Sequence, residues 1–140
     1  MARRDRKPPF AHRNAQSCTL TSRAMDKTQF QELSRQLGSS VPKVPEEPDV
    51  ADMDPWRERI DAIDRLVILL LNERAACATH IGTIKKHHAL PVYTPSREDE
   101  VLRNVMDANP GPLTDQAVRR LYERIIDETR SLERHLYAEE

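Results

Sequence analysis

The sequence predicts an all-α chain: one long helix followed by two shorter ones, built to be covered by a second copy of itself. Three observations carry this. Apolar residues from position 53 onward recur in steps of three and four, with no alternation in twos. Glycine is scarce, at 3 residues of 140, which argues against tight β-hairpins and glycine-rich phosphate loops. The first apolar-periodic stretch is roughly 50 Å long as a helix, too long for two short helices to cover.

Residues 1–52 read as a disordered N-terminal tail, basic at its front and proline-rich at its back. They hold nine Lys/Arg against seven Asp/Glu, and their apolar residues show no period. Pro42, Pro45 and Pro48 favour an extended polyproline-like linker. A short helix is expected near Lys27–Leu37. Arg3-Arg4 is followed by no apolar h-region, so it does not read as a twin-arginine signal. Met25 and Met53 are alternative start positions.

The first long helix is expected from Asp54 to about His87–His88, with Asp54 as N-cap and Pro55 at the first helical position. Ile60, Ile63, Val67, Leu70, Cys77, Ile81 and Ile84 form its seam. Leu66–Leu71 is apolar all round, which predicts burial on every side. Pro91 and Pro95 break the helix, and Thr94 or Ser96 can cap the next one, expected over about 96–108. That helix turns Val101, Leu102, Val105 and Met106 inward. Asn109-Pro110-Gly111-Pro112 is a second break. Thr114 caps the last helix, with Val118, Leu121, Ile125, Leu132 and Leu136 on one face. The uncovered long helix predicts an obligate helical homodimer, and a coiled-coil adaptor would satisfy the same periodicity.

The formal net charge of −1 excludes a strongly basic nucleic-acid binder. No apolar run approaches the roughly 20 residues of a membrane span. Cys18 and Cys77 have neither metal nor disulfide-framework spacing, so a reducing cytoplasm is expected. His80, His87 and His88 suit a helix C-terminus and lack the companions of a metal site, so no metal is expected.

Several charges sit where packing alone does not want them. Arg74 occupies a seam position, which is costly unless it is paired, reaches solvent or faces an anion. Lys85 lies 11 residues later, about 20° away around the helix and so on the same face. Together they could grip a small dianion. Arg57, about 100° round from Arg74 and roughly 25 Å away, does not easily reach the same pocket, but in an antiparallel dimer it could serve the partner's. Glu98 in a first helical turn fits ordinary charge complementation of the dipole as well as it fits a site role, whereas Arg97 opposes the dipole. Thr129 and Glu133 lie at i, i+4 on the last helix. On spacing alone Glu133 reads as half of an exposed salt bridge with Arg130 or Arg134. Gly82 in mid-helix costs about 1 kcal/mol against alanine and marks a close helix–helix or helix–ligand approach.

The segments Arg57–Asp64, Leu69–Arg74, Ile81–Lys85, Leu90–Glu98, Asn109–Leu113 and Ile125–Glu133, in this order and spacing, resemble the all-helical class of chorismate mutase. The resemblance covers about residues 53–137. It makes residues 53–140 a chorismate mutase domain and implies an intertwined homodimer with two shared sites. The implied reaction is the Claisen rearrangement of chorismate to prephenate, the shikimate-pathway branch toward Phe and Tyr, an isomerase step without cofactor. Arg74 and the partner chain's Arg57 would bind the carboxylates, and Lys85 the ether oxygen and a carboxylate. Glu98 would accept from the ring hydroxyl, with Arg97 beside it. Glu133 would be the second contact to the ether oxygen. Thr94 stands where some relatives have an acid, Thr129 keeps a hydroxyl where some have serine, and position 133 is Gln in some members. An ionised Glu133 would repel the developing oxyanion, so the neutral form is expected to be active. The alternatives are an isochorismate pyruvate lyase on the same fold, or a non-catalytic helical dimerisation or regulatory module. Some family members are activated by the preceding shikimate-pathway synthase, which makes such a synthase a candidate partner.

Overall fold

The computed structural model describes residues 27–39 and 41–138, and these contain four α-helices. They are α1 (Lys27–Ser39), α2 (Asp54–His87), α3 (Pro95–Asp107) and α4 (Asp115–Ala138). No strand occurs among the described residues. The expectations on Arg3-Arg4, Cys18 and Met25 lie outside them.

The short helix expected near Lys27–Leu37 is α1. It packs on α2, a contact the tail reading did not anticipate. Leu33 is buried at 6% exposure, and Arg59 of α2 donates to the Leu37 carbonyl at 2.8 Å. The proline-spaced segment after it has no regular secondary structure, and Val41 and Val44 are exposed.

A 3₁₀ turn, Val50–Met53, leads into α2. Here the start differs from the expected Asp54 cap. Asp49 and Asp52 form a reciprocal capping box on the 3₁₀ turn, and Asp54 already has helical geometry (φ −61°, ψ −46°). The upstream turn satisfies the backbone donors, so Asp54 has no capping work. Pro55 keeps its place in the first turn.

The far end of α2 closes with a Schellman motif. Ala89 N–H donates to Lys86 C=O at 3.1 Å and Leu90 N–H to Lys85 C=O at 2.8 Å. Ala89 takes the left-handed conformation, φ 53°, that this motif usually gives to glycine. The chain is thereby turned back along the last turn of α2, beside Lys85.

Thr94 is the N-cap residue of α3, but its hydroxyl makes no capping bond. It accepts from Lys85 Nζ instead, at 3.3 Å. At the second break Asn109 Nδ2 donates to Leu113 C=O and Asp115 Oδ1, each at 2.8 Å. Gly111 supplies the positive φ of 78°. Thr114 caps α4 as expected, accepting from Ala117 N–H at 3.2 Å.

Packing within the chain leaves most of the apolar seam of α2 exposed. α4 lies along α2 and α3 lies on α4. Ala62 and Gly82 are buried on α2, and Leu102 on α3. The seam residues Ile60, Ile63, Val67, Leu70, Ile81 and Ile84 are all exposed, at 39–59%. Within one chain the Leu66–Leu71 run is therefore not buried on every side: Val67, Ile68 and Leu70 stay exposed. Leu121 also departs from its inward placement, at 55% exposure.

Candidate active site

One cavity of about 270 Å³ lies between α2, the 88–94 loop, α3 and α4. Arg74, Lys85, Thr94, Arg97, Glu98, Thr129 and Glu133 all line it. Each was singled out from the sequence, and packing brings all seven together. Arg57 is not among them. It sits near the start of α2, 3.6 Å from Asp54, with its side chain 64% exposed. It borders a separate hollow with Val44, Pro48 and Trp56.

The two α2 cations are held by neutral oxygens. Lys85 Nζ donates to Val92 C=O at 2.8 Å as well as to Thr94, so the returning loop aims the ammonium into the cavity. Arg74 donates to Thr129 Oγ1 at 3.2 Å, and Thr129 in turn donates to Ile125 C=O at 2.9 Å. Neither cation has a carboxylate on it among the described ion pairs, which leaves their charge for an anion. Arg74 is thus met by a threonine hydroxyl rather than a carboxylate.

Arg97 pairs with Glu100 one turn on, at 2.7 Å, with its side chain 63% exposed. That neighbour offsets the unfavourable dipole position, and such an exposed pair contributes about 1 kcal/mol at most. Glu98 does more than complement the dipole. Its Oε1 accepts from Arg130 of α4, 32 residues away. The guanidinium of Arg130 also lies 4.7 Å from the centre of the Tyr93 ring.

Glu133 does not make the expected salt bridge with Arg130 or Arg134, because Arg130 is turned toward Glu98 and Asp127. Burial pushes the Glu133 carboxyl above the ordinary glutamate range. The facing charges of Lys85 and Arg130 offset this only in part. Its position depends on Gly82. A Cβ there would lie 2.6 Å from Tyr137 Oη and 3.8 Å from Glu133 Cδ, so the missing side chain lets α4 approach α2. The approach marked by Gly82 is helix on helix.

Arg130 and Tyr93 are the residues that sequence reasoning missed. Arg130 follows Thr129 and precedes Glu133 by three, so the stripe carrying the chosen pair already pointed to it. Tyr93 lies inside the Leu90–Glu98 segment and had no spacing signal of its own. Among the described residues no group of three or more His, Cys, Asp or Glu is placed to hold a metal, and no helix is long and apolar enough to cross a membrane.

This geometry agrees with the comparisons to known proteins. The chain is 46% identical over 82 residues to a bifunctional chorismate mutase/prephenate dehydratase of Neisseria gonorrhoeae, covering 59% of this chain and 22% of that protein. It is 37% identical over 89 residues to the enzyme of the same name from Aquifex aeolicus, covering 61% of this chain and 25% of the relative. The chain thus spans about a quarter of the length of the curated relatives it matches. A chorismate mutase structure (form II) from Thermus thermophilus superposes with a TM-score of 0.58 at 33% identity, over 59% of this chain and 93% of that one. The sequence model described as chorismate mutase type II matches residues 56–134, more than half of the chain. With the all-helical fold and the cation-lined cavity, this places the chain in the chorismate mutase type II family.

Proposed function

We propose that the protein rearranges chorismate to prephenate in the cytoplasm, as a homodimer and without a cofactor. The observation that carries this is the convergence of Arg74, Lys85, Glu98, Thr129 and Glu133 on one cavity in a chain of this family. A unimolecular Claisen rearrangement needs a compact substrate conformer and charge stabilisation at the breaking ether oxygen. Arg74, with the partner's Arg57, binds the two carboxylates. Lys85, aimed by Val92 and Thr94, donates to the ether oxygen. Protonated Glu133 donates from the other side, and its burial favours that protonation state. Glu98 receives the ring hydroxyl, and Arg97 adds positive charge at the rim.

The exposed seam of α2 supports the dimer. Six aliphatic side chains along one seam at 39–59% exposure are costly in water, and each gains about 1 kcal/mol when the half still exposed is buried. A second copy laid on that seam would also bring Arg57 to the neighbouring cavity.

The test is direct. Purified full-length protein is incubated with chorismate, and prephenate formation is followed alongside chorismate loss. Turnover is expected, with a drop of at least 100-fold in Lys85→Ala. Mixing the inactive Arg57→Ala and Lys85→Ala variants should restore part of the activity, since one site of each mixed dimer is intact. No turnover by the parent protein would overturn the proposal.

A further inference from the structure

We infer that Arg130 is a positioning residue: it clamps Glu98 so that one carboxylate oxygen is presented to the substrate's ring hydroxyl. The inference rests on the mutase reading above and deepens it at a residue outside the set drawn from the sequence.

The clamp joins three separate parts of the chain. Arg130 comes from α4, Glu98 from the first turn of α3, and Tyr93 from the loop between α2 and α3. Arg130 Nη2 donates to Glu98 Oε1, and both side chains are about a quarter exposed. An ion pair at this depth is stronger than a surface pair, because less water screens it. The guanidinium lies over the Tyr93 ring, and its Nη1 is 3.7 Å from Asp127 Oδ1. The charged hydrogen bond to Glu98 raises the Arg130 pKa further, so the clamp stays cationic at any working pH.

The geometry separates two jobs. Glu98 Oε1 is engaged by Arg130, and Oε2 is left to a substrate donor. A lone glutamate in a helical first turn has several rotamers, and its order is lost unless something holds it. Arg130 supplies that hold, and Tyr93 restricts Arg130 in turn. The Arg130–Glu98 pair is also neutral as a unit. The substrate's two negative charges are therefore left to Arg74, Lys85, Arg97 and the partner's Arg57. Arg130 is expected to act through Glu98 rather than by touching the carboxylates.

A double-mutant cycle on chorismate turnover decides the matter. Arg130→Ala and Glu98→Gln are each expected to lower kcat/KM by about 10–100-fold, and the double variant should match Glu98→Gln alone. Thermal melts of all four proteins separate a folding defect from a lost orientation. Should Arg130→Ala melt below the assay temperature, the cycle is run with Arg130→Lys, which keeps the charge but loses the planar fork. Losses that multiply in the double variant would mean that Arg130 contacts substrate itself, and would overturn the inference. So would an Arg130 variant with unchanged kcat/KM. A parent protein without turnover would instead remove the mutase reading, so the two failures are distinguishable.

Discussion

Replacing Gly82 with alanine probes how the α2–α4 contact sets the place of Glu133. The added methyl would lie 2.6 Å from Tyr137 Oη, 3.4 Å from Tyr137 Cζ and 3.8 Å from Glu133 Cδ. Only the first is severe, roughly 1 Å inside a normal non-bonded contact. Opposing effects then decide the stability. Alanine gains about 1 kcal/mol over glycine in a helix interior, whereas an extra methyl in a closed contact costs about 1–3 kcal/mol. Part of that cost is offset, because the Tyr137 hydroxyl is buried without a hydrogen-bond partner and regains water when displaced. The net loss should be about 1 kcal/mol or less, a Tm drop of at most about 8 °C for a domain of this size. Activity should suffer more, by about tenfold or greater. Tyr137 is one turn beyond Glu133, and a shift near 1 Å at a reacting group costs up to about 100-fold. In the Tyr137→Phe background the atom at 2.6 Å is gone, and Gly82→Ala should become neutral or stabilising by up to about 1 kcal/mol. Circular-dichroism melts and chorismate turnover of the four proteins provide the readouts. An equal Tm loss from Gly82→Ala in both backgrounds would refute the close-contact explanation.

Two other outcomes can be measured on the same footing. The Glu133 carboxyl is raised above its ordinary 4.5 by burial, so turnover should be highest below its folded pKa and fall as pH rises through it; Glu133→Gln should flatten that limb, and a variant with the parent's pH profile would refute the protonation argument. The sign for stability is the same, since the folded state binds the proton more tightly: stability is greatest below the unfolded pKa and is lost as pH rises to the folded one, a slope that pH-dependent melts should find weaker in Glu133→Gln. Ala89→Gly removes a left-handed strain of about 1–2 kcal/mol and adds unfolded-state entropy worth about 0.4–1 kcal/mol. A Tm rise of a few degrees with unchanged turnover is expected, and a lower Tm would contradict the Schellman assignment.

The legible parts of the protein were those governed by near neighbours along the chain. Pro55, Pro91, Pro95 and the Asn109–Pro112 break bound the helices within a residue or two, because a proline ring or a cap acts on the adjacent turn. Arg74 and Lys85 were found because a cation on an apolar face contradicts its surroundings. Asp54 was misjudged as a cap because an additional turn, Val50–Met53, precedes α2 and carries the capping box itself. Arg130 was passed over because its partner, Glu98, is 32 residues away on another helix. Spacing within one helix lists only that helix's own neighbours.

The sequence by itself determined the helical class, the breaks between the helices, the family resemblance and the charges that line the cavity apart from Arg130. The class and the breaks follow from short-range sterics and caps, Arg74 and Lys85 from the cost of a charge on an apolar stripe, and the other site charges from the family resemblance. Tertiary structure alone decided which groups meet. It paired Glu98 with Arg130 rather than Glu133 with Arg130, laid Tyr137 into the space above Gly82, and seated α1 on α2 through Leu33 and the Leu37 carbonyl. It also left most of the apolar seam of α2 exposed, beyond the reach of the chain's own helices. The reason is that such contacts depend on how whole helices cross, and a packing angle is set by every side chain in the interface at once.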